Sequence, residues 1–127
     1  MDVGEKLMQV KTSPYFDELY PTLDILTQQA IAKFVSHVEQ HGLKGLQGRN
    51  KSSVPSSTHT KRQRTQFAYA QRHCLWHYHI GIPTYVGEHG DMTSEYVLHY
   101  QRFDDEIIIV DITTHPPFVL PSRESLQ

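Results

Sequence analysis

The sequence predicts an α+β domain, with two N-terminal helices packed on a mainly antiparallel sheet of about four strands. Three observations predict it. Apolar residues recur at three- and four-residue steps through the first third of the chain. Three strand-like runs, "HCLWHYHI", "EYVLHYQRF" and "EIIIVDITT", occupy the second half. Between them lies a stretch rich in Gly, Ser, Pro and Thr with no period at all. A length of 127 residues suits one domain over 1–127 and leaves little room for two.

"KLMQVKTS" forms a short first strand. In "SPYFDELY", Ser13 can N-cap a helix, Pro14 suits its first position, and Asp17 and Glu18 favour the positive end of its dipole. Pro21 interrupts the pattern. A longer helix follows, with Asp24 as cap and Gly42 as stop. Its stripe is Leu23, Leu26, Ala30, Ile31, Phe34, Val35 and Val38, one apolar face that needs a sheet to cover. A mobile loop is expected over residues 52–66. In "HCLWHYHI", alternation puts Cys74, Trp76, Tyr78 and Ile80 on one face and Leu75, His77 and His79 on the other. The next two runs make an antiparallel hairpin joined at "DDE". The second of them starts apolar on both faces, as a central strand does. "HPPFVLP" ends it, because proline cannot donate to a ladder. An irregular tail is expected over 119–127.

Charge is unevenly spread. The formal net charge is −2. Residues 40–87 carry seven bases (Lys44, Arg49, Lys51, Lys61, Arg62, Arg64, Arg72) and no acid, between two acidic ends. Such asymmetry suits a local phosphate-binding surface, or a solvated basic loop. The longest apolar run, residues 107–110, is far short of the roughly 20 needed to span a bilayer, so no membrane association is expected. "MDVGEKLMQV" lacks a basic region followed by an apolar block and does not read as a signal peptide. A single cysteine, Cys74, excludes an internal disulfide and a four-thiolate zinc site. The expected setting is the cytoplasm, and Cys74 reads as a small buried core residue.

The segment "VKTSPYFDELYPTLDILTQQAIAKFVSHVEQHGLKGLQGRNKSS", with its "GLxxLxGRxK" pattern, resembles the start of the RelE/ParE toxin superfamily. "LWHYHIGIPTY" and "SEYVLHYQRFDDEIIIVDITTHPPF" resemble its strand section, and are most similar to the YafO-type branch. The likeness covers about residues 7–118 in element order. It implies a RelE-like fold and a toxin of a type II toxin–antitoxin pair, an mRNA endoribonuclease (mRNA interferase, a hydrolase) that inhibits translation. It also implies a cognate antitoxin as partner, assembly with it, and mRNA met on the ribosome.

Metal-free RNA cleavage needs a base for the 2′-hydroxyl proton, an acid for the leaving 5′-oxygen, and cations on the phosphate. Histidine suits the first two tasks and arginine the third. His77 and His79 share the strand face that the helices leave open, where RelE-like proteins place their active surface. His115 stands at a strand end where the resemblance expects a functional histidine or tyrosine. Tyr100 and Arg102 share a face and could stack a base and bind phosphate. His77, His79, His115 and Tyr100 are therefore the catalytic candidates. Arg49 and Lys51, in "GRNKSS", match the family's basic segment and are the phosphate candidates, with Arg62 and Arg64 adding nonspecific RNA attraction. Asp91 and Glu95 are the acids nearest the histidines and could orient an imidazole. His99, on the opposite parity from Tyr100, reads as structural.

No cofactor and no metal are expected on this reading. Two alternatives stand beside it. One is a non-catalytic binding protein on the same scaffold, motivated by the acidic balance. The other is a small metal-binding protein, in which His77 and His79 join His73, His89 or His99 in a three-nitrogen site.

Overall fold

The computed structural model describes residues 8–126 and is α+β, with a mixed five-stranded open sheet. Lys6 and Leu7 of the expected first strand, and Gln127 of the expected tail, lie outside the described residues. The first strand, β1 (Gln9–Thr12), runs into α1 (Pro14–Leu19) and a 3-10 turn (Tyr20–Thr22). Ser13 caps α1 by accepting from the Phe16 amide at 3.2 Å. Helix α2 (Ile25–His41) is capped by Asp24, which accepts from the Thr27 amide at 2.9 Å. It stops at Gly42, whose φ of 71° is the left-handed geometry that glycine takes without strain. Strand β2 (Asn50–Ser52), helix α3 (Lys61–Arg72), and strands β3 (Leu75–His79), β4 (Tyr96–Arg102) and β5 (Glu106–Thr114) follow.

The sheet order is β1-β5-β4-β3-β2, with only the β1–β5 pair parallel. β5 is therefore a central strand, as its two-sided apolar start requires. Helices α1 and α2 cover one face. Phe16, Ile31, Phe34 and Val38 meet Tyr78, Ile80, Leu98, Tyr100, Ile107 and Ile109 there. Phe34 stacks on Tyr78, ring centroids 4.9 Å apart.

Several expectations are corrected. The sheet has five strands rather than about four, because Asn50–Ser52 pairs with β3. Three polar residues carry no apolar alternation, so nothing in their pattern marks a strand. Within the expected mobile loop over 52–66, residues 61–66 are helical. Thr60 and Gln63 form a reciprocal capping box at the start of α3. Leu26 is not part of the buried stripe of α2 but 66% exposed, and Thr27 takes the core position instead. Cys74 is not a core residue. It is the half-buried turn between α3 and β3, at φ 55°. No helix among the described residues is long and apolar enough to cross a membrane.

Candidate functional site

Opposite the α1/α2 face, the sheet presents the alternate residues of the same strands. Antiparallel pairing puts Lys51 beside His77 and His77 beside His99, so all three side chains share this face. Arg49 precedes β2 by one residue, and its carbonyl accepts from the His79 amide at 3.0 Å. Gly48 makes this approach possible, since a Cβ there would run into the His79 carbonyl oxygen. His115 follows β5, tied to the sheet by its amide, which donates to the Glu95 carbonyl at 2.7 Å.

The face is not open. Helix α3 and the chain from Phe118 to Pro121 lie along it, linked where the Tyr69 hydroxyl donates to the Pro121 carbonyl at 2.8 Å. His77 and His79 are only 6% and 5% exposed. What remains is a cavity of about 340 Å³. His77, His79 and His115 form its wall, with Arg49 and Lys51 from the β2 edge and Gln63 and Gln66 from α3. Among its lining residues there is no carboxylate.

The imidazoles are close. His79 stacks on His115 at 5.5 Å between centroids, His77 lies 5.7 Å from His115, and His77 and His79 are 6.2 Å apart. One ring nitrogen from each of the three lies within 4.8 Å of the others. Phe118 closes over them, 4.6 Å from the His77 ring and 4.9 Å from the His115 ring.

Serines orient the rings. Ser53 Oγ lies 2.8 Å from His77 Nδ1. His79 Nδ1 lies 2.9 Å from the Ser94 carbonyl oxygen and 3.0 Å from the Ser94 amide nitrogen. The tautomer decides between those two bonds. With the proton on Nδ1, donated to the carbonyl, Nε2 offers a lone pair. With Nδ1 accepting from the amide, Nε2 offers an N–H. Asp91 and Glu95 do not orient a ring. Asp91 instead holds Arg49, at 2.7 Å from Nε.

Burial sets the charge state. It pushes His77 down to about 3, helped by the positive character of His99, His115, His79 and Lys51. His99 is pushed down to about 4, by burial and then by His115. His79 and His115 are also held below the ordinary histidine value, burial being the largest cause in each. At neutral pH the cavity therefore holds uncharged imidazoles beside two cations.

Five of the sequence candidates thus meet in one cavity: His77, His79, His115, Arg49 and Lys51. Tyr100 does not join them. Its ring is fully buried on the helix-covered face, 6.0 Å from Phe34, and its hydroxyl donates to Asn50 Oδ1. Arg102 also lies on that side, 4.4 Å above the Trp76 ring. Arg62 and Arg64 are exposed on α3, outside the lining, and Arg64 donates to the Thr58 and His59 carbonyls. His73 packs on Tyr69 instead, at 4.8 Å. Ser53, Ser94 and Phe118 belong to no motif; Ser53 alone carries a sequence signal, since it continues the alternation of Arg49 and Lys51. Comparison of the chain with protein-family models, with curated proteins and with solved structures finds no match.

Proposed function

We propose that the chain is a metal-independent endoribonuclease, the toxin of a type II toxin–antitoxin pair on a RelE-like scaffold. One observation carries the reading: three imidazoles and two cations line a single cavity on the sheet face opposite the helical hairpin. The cytoplasm, mRNA on the ribosome and a cognate antitoxin follow from the sequence resemblance and belong to the same proposal.

The reaction is transesterification within RNA. A neutral His79, its Nδ1 proton given to Ser94, takes the 2′-hydroxyl proton on Nε2. The 2′-oxygen then bonds to phosphorus and the bond to the 5′-oxygen breaks. His115, the ring nearest the chain end, gives its proton to that leaving oxygen. The products are a 2′,3′-cyclic phosphate and a 5′-hydroxyl. Arg49 and Lys51 neutralise the phosphate. Burial and then the charges of Arg49 and Lys51 keep His115 neutral; an arriving phosphate offsets those two charges, so substrate itself raises the acid's affinity for a proton.

Purified full-length protein, incubated with a synthetic RNA and chelator, should yield fragments with cyclic phosphate ends. A 2′-deoxy residue at the cut should block that cut. Induction in bacteria should arrest growth and shorten transcripts, and His79→Ala with His115→Ala should relieve the arrest. Folded wild-type protein that leaves RNA and growth unchanged sinks the reading. Arrest that survives the double substitution would favour a non-catalytic binding protein.

A further inference from the structure

The three histidines that line the cavity do more than pair as acid and base. A nitrogen of each converges on the others, two of the rings are supported from behind, and one nitrogen lacks a partner among the described residues. His115 Nδ1 is buried with no hydrogen-bond partner among the described residues. Such an atom is completed by an ordered water or by a bound ion. His77 and His79 are held at Nδ1 by Ser53 and by Ser94, which leaves Nε2 of each free to bind. A hydroxyl or carbonyl behind a ring is the outer support that metal-ligating histidines use to fix their tautomer.

We propose that His77, His79 and His115 form a three-nitrogen site for a borderline divalent cation of the zinc class, and that the bound ion inhibits RNA cleavage. The donor set decides the class. Imidazoles alone favour zinc, nickel or copper, whereas magnesium, calcium and manganese need oxygen donors. No carboxylate lines the cavity. Zinc–nitrogen bonds of about 2.0–2.1 Å in a tetrahedral site put nitrogens roughly 3.3 Å apart. The present spread of up to 4.8 Å closes by movement of His115, which lies beyond β5, while strand pairing fixes His77 and His79.

Inhibition follows from atom counting. The Nε2 lone pair that takes the 2′-hydroxyl proton is the pair that binds the ion, and a ring nitrogen serves one or the other. This half rests on the proposed cleavage reaction. The binding half does not.

A second histidine pair must be separated from it. His37 and His41, 5.2 Å apart on the surface of α2, could also hold an ion. Tag-free full-length protein is stripped with chelator and titrated calorimetrically with zinc chloride. One equivalent is expected for wild type and for His41→Ala, with at least tenfold weaker binding for His115→Ala and His79→Gln. Cobalt titration of wild type gives a readout that needs no variant to fold: four-coordinate visible bands should saturate at one equivalent. The same samples are assayed for RNA cleavage, where one equivalent of zinc should reduce the rate tenfold or more and chelator should restore it.

Wild type that binds no zinc, or binding lost in His41→Ala but kept in His115→Ala, overturns the site. Stoichiometric zinc with undiminished cleavage overturns inhibition. Stoichiometric zinc on protein that never cleaves RNA, stripped or loaded, overturns the cleavage reading while the metal site stands. Cleavage by stripped protein that takes up no zinc overturns the site while the cleavage reading stands.

Discussion

The two faces of the sheet are built from alternate residues of the same strands, yet they are filled by opposite means. Tyr100 and His99 are neighbours in β4 and both are 0% exposed. Tyr100 sits among Phe34, Tyr78 and aliphatic side chains, where volume is the requirement. His99 sits near His77 and Phe118, where the requirement is a hydrogen bond, met at Nε2 by Thr113 Oγ1 at 2.7 Å and at Nδ1 by no described residue. Burial alone thus says little about role. One face buries carbon for stability, and the other buries imidazoles at a cost in solvation.

The largest effects should separate the faces. Phe34→Ala removes a ring stacked on Tyr78 and should cost about 3–5 kcal/mol in urea unfolding. His115→Ala lies past the last strand, so its stability cost should stay below about 1 kcal/mol. On the proposed reaction, its RNA cleavage rate should nevertheless fall by roughly 10²–10⁴. If Phe34→Ala keeps full stability, or His115→Ala keeps full activity, the division of labour between the faces is wrong.

Acid should attack only the histidine face. Unfolded histidine binds a proton near pH 6.5, whereas folded His99 and His77 do so only near about 4 and about 3. Below pH 6.5 the unfolded chain therefore holds more protons, and stability falls as pH falls, until the folded rings themselves titrate. In chelator, unfolding free energy should drop by on the order of several kcal/mol between pH 7 and pH 4. Phe34→Ala should lower the whole curve without changing its slope, while His99→Gln should flatten it. Equal slopes for all three proteins would break the comparison.

The faces were not equally legible in the sequence. The helix-covered face was, because period 3.6 in α2 and period 2 in β3 to β5 both report apolar burial. Caps at Ser13, Asp24 and Gly42 were legible for the same local reason. The histidine face was half legible. Parity put His77 with His79, but it could not say that α3 and Phe118 would cover them. Register, which no alternation reveals for polar residues, decided that His99 rather than Tyr100 would face His77. Distant pairing brought His115 and Ser94 to the rings, and a backbone hydrogen bond leaves no trace in residue type. Helix α3 was missed because its few apolar residues cover a polar cavity rather than a core.

That helix offers a smaller test. Thr60 accepts from the Gln63 amide at 3.0 Å, and Gln63 accepts from the Thr60 amide at 3.0 Å. Thr60→Ala should cost about 1 kcal/mol. Hydrogen exchange should quicken in α3 and around His77 before it changes in α2. Uniform quickening would mean that the histidine face has no cover of its own.

The smallest expected effect on stability concerns one of the two cations that line the cavity. Arg49 gives two hydrogen bonds to Asp91, 2.7 Å and 3.2 Å long, and both side chains are substantially exposed. Such a pair contributes at most about 1 kcal/mol, so Asp91→Asn should barely move the unfolding midpoint. Binding is another matter. On the proposed reading, Asp91 competes with an RNA phosphate for the same guanidinium. Asp91→Asn should tighten binding of a non-cleavable 2′-deoxy oligonucleotide, by a few-fold at low salt and less as salt rises. Arg49→Ala should weaken it and reduce the salt dependence by about one phosphate contact. If Asp91→Asn weakens binding instead, the carboxylate is a support that aims Arg49 at the phosphate. The cation would then belong with the serines, as part of the scaffold that holds the site in shape.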